Sequence, residues 1–173
     1  AEAAREVLAR IEHARQRIHK GMELLSSGDP RVTKAFELAN LAMLIAQSRP
    51  KGDRTPSWEG SSSNYYFSER YAAVDLESIP TGRGFWRPFQ IAFLIMSLDG
   101  LVDDLSPSRE EVDLIWFPTG GGKTEAYLGV IAFLLFYRRL VGKSDEGVSI
   151  LMRYTLRLLT AQQFERATTL FCA

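Results

Sequence analysis

The chain has 173 residues, 46% hydrophobic and 24% charged: enough for one packed domain, with or without a helical appendage, and too apolar for global disorder. Its 21 Lys and Arg balance 21 Asp and Glu, so no net field points to nucleic acid, a membrane surface or an acidic ligand, although a local basic stripe is compatible with neutrality. The one cysteine, Cys172, excludes an internal disulfide and fits a reducing, cytoplasmic compartment. Residues 1–20 carry charge throughout, unlike a signal peptide. The longest apolar run, Ala126 to Tyr137, is shorter than the ~20 residues that span a membrane. His13 and His19 fall on different faces of a helix, so a metal pair is not expected from them. The sequence starts without Met and stops in a helical pattern at Ala173, and is therefore expected to be a fragment.

From Ala1 to about Ser26, apolar residues recur at Val7, Leu8, Ile11, Ala14, Ile18, Met22 and Leu25, the spacing of an amphipathic helix that Gly21 should weaken. Ser27-Gly28-Asp29-Pro30 closes it and opens another, with Asp29 as N-cap and Pro30 as first helical residue. The second helix carries Val32, Ala35, Phe36, Ala39 and Leu41 to Ile45 and ends before Pro50. Residues 1–49 are thus expected to form a helical hairpin, a packing or docking element without chemistry of its own. Asn40, polar in an apolar surface, reads as a satisfied core amide.

Residues 50–84 read as a linker or irregular segment. Lys51 to Asn64 is rich in turn formers and poor in aliphatics. Tyr65, Tyr66, Phe67 and Tyr71 follow; such a cluster can stack bases, but at this spacing packing against a neighbour is the expectation. A short helix is predicted over Ile91 to Leu98, stopping at Asp99-Gly100, and then an acidic loop over Leu101 to Glu111.

The stretch that carries chemistry is Asp113-Leu114-Ile115-Trp116-Phe117-Pro118-Thr119-Gly120-Gly121-Gly122-Lys123-Thr124. An apolar run, a Gly-rich turn ending in Lys-Thr and a long apolar helix pattern are the parts of a phosphate-binding loop between a strand and a helix. A triphosphate needs donors on several sides at short range, and Gly lets backbone N–H groups approach while adopting positive φ. Thr119, Gly120, Gly121, Gly122, Lys123, Thr124 and Glu125 are the candidate nucleotide-binding residues. Lys123 would reach the β and γ phosphates of ATP, and the Thr124 hydroxyl would hold Mg²⁺. The general pattern asks for Gly where Phe117 stands. A Thr-Gly-x-Gly-Lys-Thr core is the variant associated with helicases.

Val112 to Phe117 is expected to be a first strand and Val148 to Met152 its parallel partner, joined by a helix over Thr124 to Val141. Ligands of such α/β sheets bind at the carboxyl edge, which places the residues after Met152 near the nucleotide. Residues 85–173 are accordingly read as an α/β unit, the first βαβ portion of a RecA-like P-loop NTPase lobe.

Two longer blocks, Trp116 to Gly129 and Arg153-Tyr154-Thr155-Leu156-Arg157-Leu158-Leu159-Thr160-Ala161-Gln162-Gln163-Phe164, resemble the helicase-like core subunits of DISARM bacteriophage-defence systems, within the superfamily 2 helicases. The resemblance is strongest from Phe85 to Ala173. It implies an ATP-dependent DNA helicase or translocase that works with a second DISARM core subunit and a DNA methyltransferase. It also implies that Gln90, in Arg87-Pro88-Phe89-Gln90, reads the adenine edge, with Phe85, Trp86 or Phe89 covering the base. Arg153, Thr155 and Arg157 would contact the DNA backbone, although the usual Pro is missing and the spacing differs by a residue. No Asp-Glu motif and no second lobe follow, so these residues alone are expected to bind nucleotide weakly and turn over essentially none. Two alternatives stand beside this reading: another P-loop NTPase such as a restriction translocase or a nucleotide-dependent transferase, and a nucleotide-gated docking module.

Overall fold

A computed structural model of the chain describes residues 2–48, 56–67, 74–78, 84–116, 120–143, 146–153 and 157–173, the last range without the side chains of 157–159. Five α-helices carry most of it: α1 (Glu2–Ser26), α2 (Pro30–Ser48), α3 (Pro88–Val102), α4 (Lys123–Leu140) and α5 (Arg157–Phe171). The strands among the described residues are β1 (Ser57–Glu59) and β2 (Asn64–Tyr66), which pair antiparallel with Trp58 opposite Tyr65.

The hairpin α1–α2 straddles the pair α3–α4. Helix α1 lies on α3, α2 lies on α4, and α5 closes against both α2 and α4. On α2, Val32, Ala35, Ala39 and Ala42 form one buried stripe at helical spacing, and its small residues let α4 approach closely. Facing them are Leu128, Ile131, Ala132 and the fully buried Phe133 of α4. Leu94 and Leu98 of α3, and Ala167 and Leu170 of α5, complete a single core. A buried aromatic such as Phe133 contributes about 3–5 kcal/mol against truncation to Ala.

The expected helical hairpin is present. Asp29 caps α2, accepting from the Arg31 backbone N–H at 2.9 Å, and the Arg31 side chain lowers its carboxyl to about 2. Gly21, expected to weaken α1, is instead the point of closest approach: a Cβ there would lie 2.0 Å from the carbonyl oxygen of Ile95. The first half of α1 is exposed from Glu2 to His13, so Val7, Leu8 and Ile11 stand uncovered.

Three expectations need correction. The segment read as linker contains β1–β2, because Trp58 and Tyr65 make a cross-strand edge-on aromatic pair at 4.9 Å and the Ser-rich stretch forms the turn. Helix α3 starts at Pro88 and runs past Asp99-Gly100 to Val102. Its last turn is held by tertiary contacts. Buried Asp99 pairs with Lys20 of α1 at 2.8 Å and accepts from Ser106, beside a 3-10 turn over Pro107–Glu110. Burial pushes the Asp99 carboxyl up, but hydrogen bonds from Lys20, Ser106 and Ser108 outweigh it and leave it lowered. Finally, residues 111–116 and 146–153 form no strand among the described residues. Val112, Leu114, Trp116, Val148 and Leu151 are each more than four-fifths exposed. A parallel pair is stable when further strands and helices cover both faces, and on the described residues no such cover meets these side chains. Among the described residues the chain is thus mostly helical with one small antiparallel sheet, and no βαβ crossover is formed there.

Candidate phosphate-loop site

Gly120 and Gly122 take φ of +78° and +87°, the left-handed region that glycine adopts without strain. Gly122 is the N-cap of α4, and Lys123, Thr124 and Glu125 fill its first turn. The N-terminal, positive end of an 18-residue helix meets a loop turned by glycines. Lys123 and Thr124 are both half-buried here.

Two of the loop's carbonyls have partners on α3 and its N-cap. Arg87 donates from Nη1 to Gly121 O at 2.9 Å, and Gln90 donates from Nε2 to Gly122 O at 2.7 Å. Gln90 Oε1 accepts in turn from the Arg87 backbone N–H at 2.8 Å. Gln90 is only 4% exposed, so its two bonds lie in a largely dry setting, where an unmade one costs about 1–3 kcal/mol, whereas the Arg87 bond is exposed. This arrangement draws both carbonyl oxygens towards α3. A Cβ on Gly122 would lie 2.6 Å from Gln90 Nε2 and 3.5 Å from Glu125 Oε2, so the loop packs tightly between them.

Glu125 reaches the opposite way, accepting from Arg166 of α5. Burial pushes the Arg166 guanidinium below its usual range. The loop is therefore bounded by α3 on one side and by the α4–α5 ion pair on the other.

Gln90 and Gly120 to Glu125 are thus brought together. Thr119 and Thr155 lie outside the described residues, as does the side chain of Arg157. Arg153 is exposed beyond Met152. Of the aromatics proposed to cover a base, Trp86 is engaged otherwise. Its Nε1 donates to Asn40 Oδ1 at 2.6 Å, and its ring would meet a Cβ on Gly129 at 2.7 Å. Asn40, whose Nδ2 also donates to Phe36 O at 2.7 Å, is the satisfied core amide that its surroundings predicted. Phe85 is 78% exposed.

Sequence reasoning missed three residues. Arg87 was legible in principle, as the residue before Pro at a helix start and three before Gln90. Arg166 and Arg17 carried no local signal. Arg17 of α1, 7% exposed, holds Asp113 through two bonds of 2.6 and 2.8 Å and Glu111 at 3.1 Å. The Asp113 bonds raise the Arg17 pKa further above its ordinary value. This clamp fixes the segment that leads into the loop from 96 residues away in sequence.

Among the described residues no helix is long and apolar enough to cross a membrane. No family profile and no solved structure matches the chain. A curated protein does: over 179 aligned residues, 99% of this chain, it is 40% identical to "DISARM protein DrmA" of Bacillus paralicheniformis. The chain spans about 15% of that relative's length.

Proposed function

We propose, for a chain related along nearly its whole length to a DISARM protein, that it is the ATP-binding part of an ATP-dependent DNA helicase or translocase in bacterial phage defence. The observation that carries this reading is the loop itself, with two carbonyls tied to Arg87 and Gln90 and two left-handed glycines leading into Lys123 at the start of α4. That donor set fits a triphosphate in kind: a helix N-terminus, a glycine-turned loop and a lysine at the first helical residue are the groups that such an anion calls for. Lys123 would neutralise the β and γ phosphates, and Thr124 would offer its hydroxyl to Mg²⁺, which supplies further neutralisation of the phosphate charge when bound. Gln90 retains one amide N–H and one lone pair beyond its loop bonds, but at 4% exposure it would read a base edge only after leaving this seat. Arg153, Thr155 and Arg157 would bind the DNA backbone after the second strand position. In this reading residues 112–117 and 148–152 become parallel strands when the rest of a RecA-like lobe covers them. A second core subunit and a DNA methyltransferase would be partners, in the cytoplasm.

The test is nucleotide binding by this chain and by Lys123→Ala, with a fluorescent ATP analogue and Mg²⁺. Loss of the ammonium removes charge-assisted bonds worth about 1.5–3 kcal/mol, so affinity should fall at least about tenfold. Equal binding by both would end the phosphate-loop reading. The uncovered Val7, Leu8 and Ile11 of α1 favour a second reading, a docking module gated by nucleotide. DNA-stimulated hydrolysis by the longer protein that carries this segment separates the two, since a docking module would show none.

A further inference from the structure

Resting on the nucleotide reading, we propose that Arg17 of α1 is a positioning residue for the phosphate loop: it anchors the segment that enters the loop, so that nucleotide meets a loop already in place. That segment has two anchors. Downstream, Arg87 and Gln90 at the start of α3 hold the carbonyls of Gly121 and Gly122. Upstream, Arg17 holds Asp113 through bonds of 2.6 and 2.8 Å and Glu111 at 3.1 Å, and His13, one turn earlier on α1, meets the same Glu111 oxygen at 2.9 Å. Between the anchors Leu114 and Trp116 are more than four-fifths exposed, so burial of these side chains does little to hold the chain there. Both anchors belong to one body. Gly21 lets α1 lie against the backbone of α3 at Ile95, and Lys20 pairs with buried Asp99 at 2.8 Å.

Stability alone does not account for this cation. Arg17 is 7% exposed, and its Nε finds no acceptor among the described residues. An apolar side chain there would serve the contact between α1 and α3 as well or better. What it could not do is fix a carboxylate of an extended segment at a defined point, as the guanidinium fork does with two parallel bonds to Asp113. Glu111 and Asp113, two residues apart, share one side of an extended chain, so the clamp persists when 112–117 become a strand. Without it the approach to the loop samples more conformations, and apparent affinity falls with the fraction of molecules whose loop is in place. Bound nucleotide orders the loop again, so ground state and transition state carry that cost alike, and it appears in KM rather than in kcat.

The experiment measures ATP hydrolysis, with double-stranded DNA present, by the longer protein that carries this segment, at a temperature where circular dichroism shows each variant folded. R17Q should raise the KM for ATP at least about fivefold, the low end of ordinary coupling between sites, and keep kcat within about twofold. R17K, which keeps the charge without the fork, and D113N, which leaves Glu111 in place, should fall between R17Q and wild type, and they carry the test if R17Q does not fold. Val32 is 1% exposed in the α2–α4 contact, so V32A loosens the core without touching the clamp and should keep the wild-type KM. Unchanged KM in the clamp variants would overturn the inference and leave the functional reading intact. A KM in V32A raised as far as theirs, or a fall in kcat without a rise in KM, would overturn it equally. No hydrolysis by the wild type, or hydrolysis that K123A leaves intact, would remove the functional reading and this inference with it.

Discussion

The helical body and the two extended segments beside the loop are built from equally apolar sequence, but they meet different fates. In α2 and α4, Val32, Ala35, Ala39, Leu128 and Phe133 are buried within the chain's own core. In 111–116 and 146–153, Val112, Leu114, Trp116, Val148 and Leu151 stay exposed and no strand forms. A helix satisfies its backbone hydrogen bonds internally and needs one neighbour for its apolar stripe. A parallel strand needs a neighbouring strand for its backbone hydrogen bonds and cover on both faces. Local pattern therefore became structure where one neighbour was enough.

The largest effect should come from the body. Phe133→Ala should cost about 3–5 kcal/mol, read as a lowered urea midpoint with unchanged slope; a loss below about 1 kcal/mol would mean that the core is not the one described. Next comes the tie between the two regions. Asp113→Asn removes the two-bond partner of Arg17 in a nearly buried site but leaves Glu111 at 3.1 Å, and as Asp113 is itself a quarter exposed, the cost should be about 1–2 kcal/mol, well below that of a fully buried pair left without a counter-charge. If stability is unchanged, α1 does not hold the approach to the loop. The smallest effect belongs to the extended segments. Leu151→Ser, at a side chain 85% exposed, should shift the stability of this chain by less than about 0.5 kcal/mol. A loss above 1 kcal/mol would show that the segment packs after all, and would erase the contrast.

Much of the body was legible because its signals are local. Apolar spacing marked α1, α2 and α4, and Ser27 to Pro30 marked the turn between the first two. What escaped depends on distant partners. The end of α3 was misplaced because Asp99-Gly100 looks like a stop, whereas Lys20 and Ser106 hold that turn. The β1–β2 hairpin was hidden under a Ser-rich composition, because its signal, Trp58 and Tyr65 flanking a short turn, was divided between a linker and an aromatic cluster read as packing or base stacking. At the site, the glycines and Lys123 announced themselves through their order in the chain. Arg166 lies 41 residues from its partner Glu125 and Arg17 lies 96 from Asp113, distances at which no spacing rule operates. Gln90 was picked out for the base, yet the bonds it makes here go to the loop backbone.

The seat of Trp86 gives the molecule an optical reporter. Of the three tryptophans, Trp58 and Trp116 are 55% and 85% exposed and emit from a watery setting. Trp86 is half-buried, bonded to Asn40 of α2 and laid over Gly129 of α4. Its emission therefore records whether those two helices remain together. Removing the indoles at 58 and 116 would leave a single tryptophan, against a helix position less than two turns from Lys123, able to report on the α2–α4 contact without an attached dye.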